Sequence, residues 1–330
     1  AFAFVDHARQ NGVDTYFSTE VTQIGKHEDN YFVIHIENPQ NHKGRVKGKY
    51  VVNAAGLYAD QIACMIGDDY IDLNLQRGSY VIFDKEVSSL INNMVYVGGL
   101  DPAYSQVIGP TVHGNLILGM GHFVEPSSKE DTEVTKDVLD EIIKMGYQIS
   151  PYLEKDKIIT AFSGIKSTNT VNPKDFYIDY SQSDKNCIHA VICSPGVTAA
   201  PGISEYITEL LHNAGLNLKE KKIYSTYRKP VKKFNITDKR RVEELIKKDP
   251  AYGSIVCRCE NVCRAEIEIA IEKGAVTLDG IKHVTRAGMG RCQGGFCSSW
   301  IISRLARYYN NNVDKVTKKG KGSEIVIEEL

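Results

Sequence analysis

Five of the eight cysteines lie between positions 257 and 297 and form the densest group of potential ligands in the chain. Two are separated by one residue, Cys257-x-Cys259, and two by four residues, Cys292-x4-Cys297, which leaves Cys263 as a spare. Four thiolates in this pattern suit a tetrahedral metal ion or an iron–sulfur cluster, because soft sulfur ligands bind zinc and iron well. Disulfide frameworks occur mainly in small secreted chains, so clustered cysteines among 330 residues indicate metal binding.

The spacing of these cysteines favours an iron–sulfur cluster over zinc. Zinc sites usually have a C-x2-4-C pair on both sides, whereas one pair here is C-x-C and the other lies in the glycine-rich loop RAGMGRCQGGFC. Glycines in that loop allow close backbone approach and leave N–H groups for hydrogen bonds to sulfide. The alternatives are a zinc site and reduced cysteines that bind no metal.

The segment around the cysteines is similar to a known module. IVCRCENVCRAEIEIAI followed by GIKHVTRAGMGRCQGGFCSSWI resembles the 2Fe-2S domain of the bacterioferritin-associated ferredoxin type, which is a compact helical fold. The resemblance implies that Cys257, Cys259, Cys292 and Cys297 hold a 2Fe-2S cluster.

Two earlier strand–turn–helix segments could approach a cofactor. VVNAAGLYAD carries the turn 53–56 after a buried strand, and CSPGVTAAPG carries residues 196–199 before a helix. Small residues permit close contact, and a helix N-terminus stabilises negative charge on a bound ring. Each segment taken alone also fits an ordinary structural turn. Lys166 follows the strand AFSGI and could hold an anion, although an isolated lysine is more often simply solvated.

Taken in order, TEV, VVNAAGLYAD, RGSYVIFD, GPTVHGNLILG, FSGIK and SPGVTAAPGI resemble landmarks of the FAD-dependent D-amino-acid oxidase superfamily. They are most similar to its anaerobic glycerol-3-phosphate dehydrogenase type, in which a 2Fe-2S module follows the flavin domain. The resemblance therefore implies two cofactors, FAD and a 2Fe-2S cluster. It implies contact with the adenine near Val21, with the dinucleotide at Asn53, Ala54, Ala55 and Gly56, and with the isoalloxazine at Gly164, Ile165, Gly196, Val197, Thr198 and Ala199.

The resemblance also implies a reaction. It predicts oxidation of a small anionic hydroxy substrate, most directly sn-glycerol 3-phosphate to dihydroxyacetone phosphate, with electrons passing through the cluster to a protein or quinone. Lys166 would bind the anionic group and Tyr80 would face the substrate, although Tyr80 also fits a core or surface position. The catalytic base is left unassigned, with His113 and His122 as candidates. The alternatives are oxidation of L-2-hydroxyglutarate, another 2-hydroxy acid or an amine, and a non-catalytic iron–sulfur electron-transfer subunit.

Two features depart from the family pattern. Lys166 stands where arginine is usual, and lysine lacks the bidentate fork with which a guanidinium recognises carboxylate or phosphate. The G-x-G-x-x-G turn that binds the FAD pyrophosphate has no counterpart, because GMGRCQGG has Gln293 at the third glycine position and lies in the cysteine loop. We therefore expect a flavin domain without its N-terminal Rossmann segment, which as given binds FAD poorly or not at all.

The secondary-structure pattern predicts a mixed fold, α/β (α+β) in class. We expect a partial FAD-binding domain of the glutathione-reductase-like type with an antiparallel substrate-side sheet, followed by a small helical 2Fe-2S domain. The expected domains are 1–225 for the oxidoreductase (with the sheet at about 68–160), 226–250 for a basic linker and short helix capped by Thr237 or Asp238, 251–310 for the ferredoxin-like domain and 311–330 for an extended tail.

Composition excludes several classes of protein. The chain has 40 Lys and Arg against 41 Asp and Glu, so a basic nucleic-acid-binding module is excluded. Hydrophobic residues make up 42% and charged residues 25%, which is ordinary for a globular protein. Because the longest apolar runs are far shorter than a membrane span, we expect no transmembrane segment. Cysteines clustered for metal binding rather than for a disulfide framework predict a cytoplasmic location, with peripheral attachment to a membrane left open.

Overall fold

A computed structural model describes residues 2–38, 41–97, 106–119, 124–228 and 238–326. The chain divides into two compact units. The larger unit comprises residues 18–155 and 161–224, and the smaller unit comprises residues 2–17, 156–160 and 225–330. Among the described residues, no helix combines the length and the apolar character that a membrane crossing requires.

Helices and strands are both well represented in the described residues. The helices are α1 (Phe2–Gln10), α2 (Ala59–Ile66), α3 (Lys136–Ile149), α4 (Gly196–Asn213), α5 (Lys239–Lys248), α6 (Arg264–Glu272), α7 (Leu278–Thr285) and α8 (Ser298–Tyr308). The strands are β1 (Glu20–Lys26), β2 (Phe32–Glu37), β3 (Lys43–Gly48), β4 (Val51–Asn53), β5 (Leu73–Phe83), β6 (Val95–Val97), β7 (Gln106–Pro110), β8 (Leu116–Gly119), β9 (Ile158–Asn169), β10 (Tyr177–Tyr180), β11 (Cys187–Val191), β12 (Ile255–Cys257) and β13 (Val262–Cys263).

The described residues of the larger unit form three sheets. One is the antiparallel meander β1-β2-β3, which the alternating sequence predicts. The second has the order β10-β11-β4, and β11 runs parallel to β4. The third has the order β6-β7-β8-β5-β9, with antiparallel pairing of β6 with β7, β7 with β8 and β8 with β5. Helix α3 packs on this third sheet so closely that a Cβ on Gly146 would press against Leu118.

Strand β11 lies at the centre of the second sheet and is buried at every position. Its sequence CIHAV is a short apolar run interrupted by one histidine, as expected for a strand covered on both faces. Cys187 packs with Ile24 and Phe32 of the meander, and Val191 packs with Ala63 of α2. These contacts fix the two turns that follow β4 and β11.

The smaller unit holds the cysteine-rich segment in a helical core. The hairpin β12–β13 leads into α6, α7 and α8, whose apolar faces meet at Ile267, Ile281, Ile301 and Leu305. The short helix predicted in the basic segment is α5, and the Asp238 side chain caps it by accepting a hydrogen bond from the Arg241 N–H at 3.2 Å. Thr237, the other predicted cap, lies outside the described residues.

The predicted extended form of the C-terminal tail is wrong. Thr317 and Glu324 form an antiparallel bridge, and the Lys318 N–H donates to the Ser323 carbonyl at 2.7 Å. The chain reverses direction between Thr317 and Glu324, and Gly320 and Gly322 allow this turn because they adopt positive φ values of +134° and +81°. Val316 at the base of the hairpin is buried in the helical core, so the tail is part of the smaller unit.

Candidate functional site

The four predicted ligand cysteines meet as two pairs. The Cys259 and Cys292 sulfurs lie 3.4 Å apart, and the thiols of Cys257 and Cys297 are hydrogen-bonded to each other. Three sequence elements make these pairs, since β12 ends at Cys257, the turn after it carries Cys259, and the loop between α7 and α8 carries the other two. The structure therefore brings together residues that are 33 positions apart in sequence.

The electrostatics of the two pairs favour one thiolate in each. The hydrogen bond from Cys297 and backbone N–H groups of Gly288 and Glu260 lower the pKa of Cys257 to about 6. Burial would raise the pKa of Cys292, but a hydrogen bond from Cys259 and three backbone N–H groups of the loop outweigh it and lower the pKa. Cysteine binds metal as the thiolate, so each pair contains one sulfur that favours the metal-binding form.

The glycines of the loop are required by close contacts. A Cβ on Gly290 would overlap the Cβ of Cys259, and a Cβ on Gly294 would press against the Ser298 hydroxyl. Gly294 also has φ of +90°, a conformation that residues with a side chain rarely adopt. The loop thus wraps its backbone N–H groups tightly around the sulfurs, as the sequence predicts.

This donor set fits a binuclear cluster. Among the described residues, no three His, Cys, Asp or Glu side chains are arranged to hold a single metal ion. Tetrahedral zinc needs four ligands around one point, whereas a 2Fe-2S cluster needs two thiolates at each of two irons. Two cysteine pairs meet the second requirement. Cys263 stands apart, because burial raises the pKa of its thiol to about 12 and its N–H donates to Glu266 at the start of α6.

The predicted flavin turns lie at one edge of the second sheet. Strands β4 and β11 are parallel neighbours, with His189 opposite Asn53, so their carboxyl ends point the same way. The turn 53–56 leaves β4 there, and residues 192–195 lead from β11 to α4. The crevice outside the carboxyl ends of parallel strands is where open α/β sheets bind ligands.

Helix α4 begins earlier than the sequence suggests. Residues Gly196–Ala199, expected before the helix, form its first turn, and Pro201 lies inside the helix. Gly196 and Pro201 obscure this start, because glycine and proline have the weakest helical preferences. Pro195 provides no side-chain cap for the first turn, and an uncapped helix N-terminus favours an anionic or polarised group.

An apolar cleft of about 460 Å³ joins the residues predicted to contact the adenine and dinucleotide. Val21 of β1 lines it together with Asn53, Ala54 and Ala55. Gly56, the last residue of the turn, has φ of +58°. The remaining lining residues are Ile24, Ile34, Tyr50, Val51, Val52 and Ile62. Apolar walls with a few polar groups at one end are the usual form of a cofactor pocket.

Sequence reasoning missed a buried polar network beneath this cleft. The Asn53 amide donates to the Ala59 carbonyl at 2.8 Å and to Nδ1 of His189 at 3.0 Å. Nε2 of His189 then donates to the Asp68 carboxylate at 2.7 Å. Burial would raise the pKa of Asp68, but hydrogen bonds from Ser181, His189 and Ser183 outweigh it and lower the pKa. The lone histidine in the apolar strand β11 was the signal that could have revealed the network.

The predicted substrate residues lie on one face of the third sheet. Tyr80 of β5 stacks on Phe162 of β9, with ring centroids 5.3 Å apart and planes 16° from parallel. Phe162, Gly164 and Lys166 alternate along β9 and are all exposed, so they share that face. A Cβ on Gly119 would overlap the Tyr80 ring, whereas one on Gly164 would meet no atom within 4 Å. Burial and neighbouring Tyr96 raise the pKa of Tyr80, which keeps its hydroxyl protonated.

The other predicted residues are less informative. Ile165 is half-buried on the opposite side of β9 from Gly164. His113 is exposed in the turn between β7 and β8, and His122 lies outside the described residues. The catalytic base therefore stays unassigned.

Comparison with known proteins agrees with this arrangement. The sequence matches the FAD dependent oxidoreductase family over residues 1–210 and the BFD-like [2Fe-2S] binding domain over residues 255–306. It is 35% identical over 327 residues to a glycerol 3-phosphate dehydrogenase of Caloramator mitchellensis, covering 98% of this chain and 66% of that protein. It is 23% identical over 293 residues to one subunit of the anaerobic glycerol-3-phosphate dehydrogenase of Escherichia coli K12, covering 78% of this chain and 52% of that protein.

A solved structure of an FAD-bound oxidase has a similar fold. Dithionite-reduced L-alpha-glycerophosphate oxidase from Mycoplasma pneumoniae, with FAD bound, matches with a TM-score of 0.55 and 27% identity over 64% of this chain and 54% of that one. The chain thus spans about half to two thirds of the length of the relatives that it matches.

The fold and the paired cysteines define a flavin-dependent oxidoreductase that also carries an iron–sulfur domain. The chain belongs to the FAD dependent oxidoreductase family, and a BFD-like [2Fe-2S] binding domain follows at its C-terminal side. The predicted fold class, a mixed α/β fold with an antiparallel sheet and a small helical domain, is confirmed. The predicted cofactors, FAD and a 2Fe-2S cluster, are confirmed by the two family matches.

Proposed function

We propose that this chain takes part in the oxidation of sn-glycerol 3-phosphate to dihydroxyacetone phosphate. The observation that carries the proposal is the likeness, across 98% of the chain, to a relative named glycerol 3-phosphate dehydrogenase. When bound, FAD takes up the two electrons of the alcohol and the 2Fe-2S cluster relays them singly. The chain's own residues bind and orient the substrate and the two cofactors.

The geometry supports a role for each of several predicted residues. Val21 and the turn Asn53–Gly56 would enclose the adenosine end of FAD in the apolar cleft. The first turn of α4, Gly196–Ala199, and the open backbone at Gly164 would lie beside the isoalloxazine. Cys257, Cys259, Cys292 and Cys297 would hold the cluster as two pairs.

Lys166 and Tyr80 would form the substrate side. The exposed Lys166 ammonium could bind the substrate phosphate as a point charge. Lysine is a common phosphate ligand even though it lacks the bidentate hydrogen bonds of an arginine guanidinium. The protonated Tyr80 hydroxyl can donate a hydrogen bond to a substrate oxygen. Tyr80 and Lys166 lie on the same face of the neighbouring strands β5 and β9, which supports the proposal that both contact the substrate.

The acceptor of the electrons would be a protein or a quinone, and we propose a cytoplasmic location with or without attachment to a membrane surface. The described residues offer no spanning helix as an anchor.

The test is anaerobic reduction of the bound flavin by substrate. The chain, expressed within its complete natural reading frame, is mixed with sn-glycerol 3-phosphate, L-2-hydroxyglutarate or glycine while flavin absorption is followed. We expect bleaching by glycerol 3-phosphate and formation of dihydroxyacetone phosphate. Bleaching only by a hydroxy acid or amine would contradict the proposed substrate. An iron-loaded protein that no substrate reduces would instead favour a non-catalytic electron carrier.

A further inference from the structure

We propose that His189 is a positioning residue for FAD, because it holds the Asn53 side chain and thereby keeps the turn 53–56 in the shape that receives the dinucleotide. Asp68 in turn fixes the orientation of the His189 ring. This inference rests on the proposed role of the turn 53–56 in binding FAD. It deepens that role, because it names two buried residues that act on the cofactor through the turn.

The Asn53 side chain ties the turn to the start of α2. Its Oδ1 accepts a hydrogen bond from the Ala55 N–H at 3.3 Å, and its Nδ2 donates to the Ala59 carbonyl at 2.8 Å. A side-chain oxygen that accepts from the backbone two residues on is a common way to stabilise a turn. Ala59 is fully buried as the first residue of α2, so the second bond fastens the turn to a fixed point. Because Asn53, Ala54 and Ala55 line the apolar cleft, the turn decides the shape of that wall.

These two backbone contacts leave one orientation for the Asn53 amide. Its nitrogen must face the Ala59 carbonyl and its oxygen the Ala55 N–H, because the reverse would set acceptor against acceptor and donor against donor. The same amide nitrogen lies 3.0 Å from Nδ1 of His189 and has a second N–H to donate. Nδ1 must therefore accept, and the ring proton must lie on Nε2.

The opposite side of the ring requires the same tautomer. Nε2 of His189 lies 2.7 Å from Oδ2 of Asp68, while Oδ1 of Asp68 accepts from the Ser183 N–H at 3.0 Å. Burial would raise the pKa of Asp68, but hydrogen bonds from Ser181, His189 and Ser183 outweigh it, so the carboxylate stays ionised and can only accept. Both neighbours of the ring thus impose the form with the proton on Nε2. Burial keeps bulk water from competing for either contact.

The effect on FAD follows from the loss of one acceptor. Of the described residues, those that line the cleft include Asn53 but neither His189 nor Asp68. Without an acceptor at Nδ1, the Asn53 amide would keep a buried unpaired N–H, and other conformations of the turn would become populated. The apparent affinity for a ligand falls with the fraction of molecules that are in the binding conformation. His189 should therefore set the affinity for FAD from beneath the turn.

Two substitutions of His189 separate the two sides of the ring. The amide oxygen of His189→Asn can replace Nδ1 as the acceptor for Asn53, whereas the amide nitrogen of His189→Gln can replace Nε2 as the donor to Asp68. Each variant keeps one of the two hydrogen bonds, so both should lose a similar amount of thermal stability. We expect His189→Gln to raise the FAD dissociation constant about tenfold and His189→Asn to raise it less than about threefold.

The dissociation constant is measured on protein expressed within its complete natural reading frame. Flavin is removed, and quenching of flavin fluorescence is followed as FAD is added back. His212→Gln is the matched control, because His212 is exposed near the end of α4, and it should leave the constant unchanged. Ala54→Glu tests the turn itself. It puts a negative charge on an exposed part of the cleft wall and should weaken binding of the anionic dinucleotide.

A second measurement reads the tautomer and needs no variant. The full chain is labelled with a nitrogen isotope in its histidine rings and transferred to deuterated water. His189 is the one fully buried histidine among the residues that the structure describes, so its ring N–H should exchange slowest. Two-bond couplings to the carbon-bound ring protons distinguish Nε2 from Nδ1 in the nuclear magnetic resonance spectrum. We expect the proton on Nε2.

Two outcomes would overturn the inference directly. These are a ring proton on Nδ1 of His189, or equal FAD dissociation constants for His189→Asn and His189→Gln. Unchanged binding of FAD by Ala54→Glu would show that the proposed role of the turn is wrong, and the inference would fall with it. Because no substrate is present in these experiments, failure to oxidise glycerol 3-phosphate would reject the proposed substrate and leave this result standing.

Discussion

His189 on the central strand β11 donates a hydrogen bond to the Asp68 carboxylate at 2.7 Å, and the two side chains are 0% and 1% exposed. The other ring nitrogen of His189 accepts from the Asn53 amide, which fixes the histidine tautomer. Asn53 begins the turn proposed to meet the dinucleotide. The pair therefore connects the loop after α2 to the floor of the apolar cleft through one buried chain of hydrogen bonds.

The first prediction concerns the stability of this network. Because the pKa of Asp68 is lowered in the folded protein, its carboxylate stabilises the fold above the unfolded pKa, and this contribution is lost as pH falls through the folded pKa. Asp68→Asn should reduce the free energy of unfolding at pH 7 by about 2 kcal/mol, since it replaces a charged acceptor of several hydrogen bonds. Urea unfolding followed by circular dichroism measures the loss.

The neighbouring acid provides the control. Asp69 is exposed, so Asp69→Asn should change stability by less than about 0.5 kcal/mol. The difference between Asp68→Asn and the unaltered chain should shrink when unfolding is repeated at acidic pH. A difference that stays constant down to the lowest pH would contradict a role for the ionised carboxylate.

Much of this site could be predicted from local sequence. Small residues after apolar strands predict the turn 53–56, and the C-x-C and C-x4-C spacings predict a cysteine cluster suited to metal, because in both cases the signal lies within a few neighbouring residues. The parallel pairing of β4 and β11 could not be predicted in this way. It joins segments 136 positions apart, and neither segment carries a local signal for the other.

The same limit explains the missed residues. His189 acquires its importance only from Asn53 and Asp68, which are distant in sequence. The tail was expected to be one extended segment, but tertiary contacts at Val316 and a glycine turn decide its conformation. Local preference is a weak guide wherever such long-range contacts dominate.

The second prediction concerns Gly164 on the Tyr80 face. A methyl group at this position meets no atom within 4 Å, so Gly164→Ala should leave the free energy of unfolding almost unchanged. It should nevertheless weaken FAD binding or substrate turnover at least tenfold if the isoalloxazine approaches the backbone there. Flavin content after purification and titration with FAD, both with the chain expressed within its complete natural reading frame, measure the first effect.

Gly25→Ala is the matched control for this strand position. Gly25 lies in β1, and a Cβ there also meets no atom within 4 Å. We expect normal flavin content in Gly25→Ala. If both alanine variants behave alike, Gly164 has no particular role in cofactor approach.

The third prediction separates ligand cysteines from the spare one. Cys257→Ser should abolish or strongly reduce bound iron, because it removes one of two sulfurs in the inner pair. Cys263→Ser should retain iron and acid-labile sulfide, since the Cys263 thiol is buried against α6 rather than paired with another cysteine. Loss of the cluster in Cys263→Ser, with the helical circular dichroism intact, would show that the ligand assignment is wrong.

The fourth prediction tests Lys166 as the anion site. Lys166→Met removes the charge and keeps most of the side-chain volume, so it should raise KM for glycerol 3-phosphate about tenfold or more with a smaller effect on kcat. Lys166→Arg should retain much of the affinity, because phosphate accepts either cation. Lys174→Met removes an exposed lysine between β9 and β10 and should leave KM unchanged. Equal KM values for Lys166→Met and Lys174→Met would remove Lys166 from the substrate site, and the anion would then have to be held by another cation.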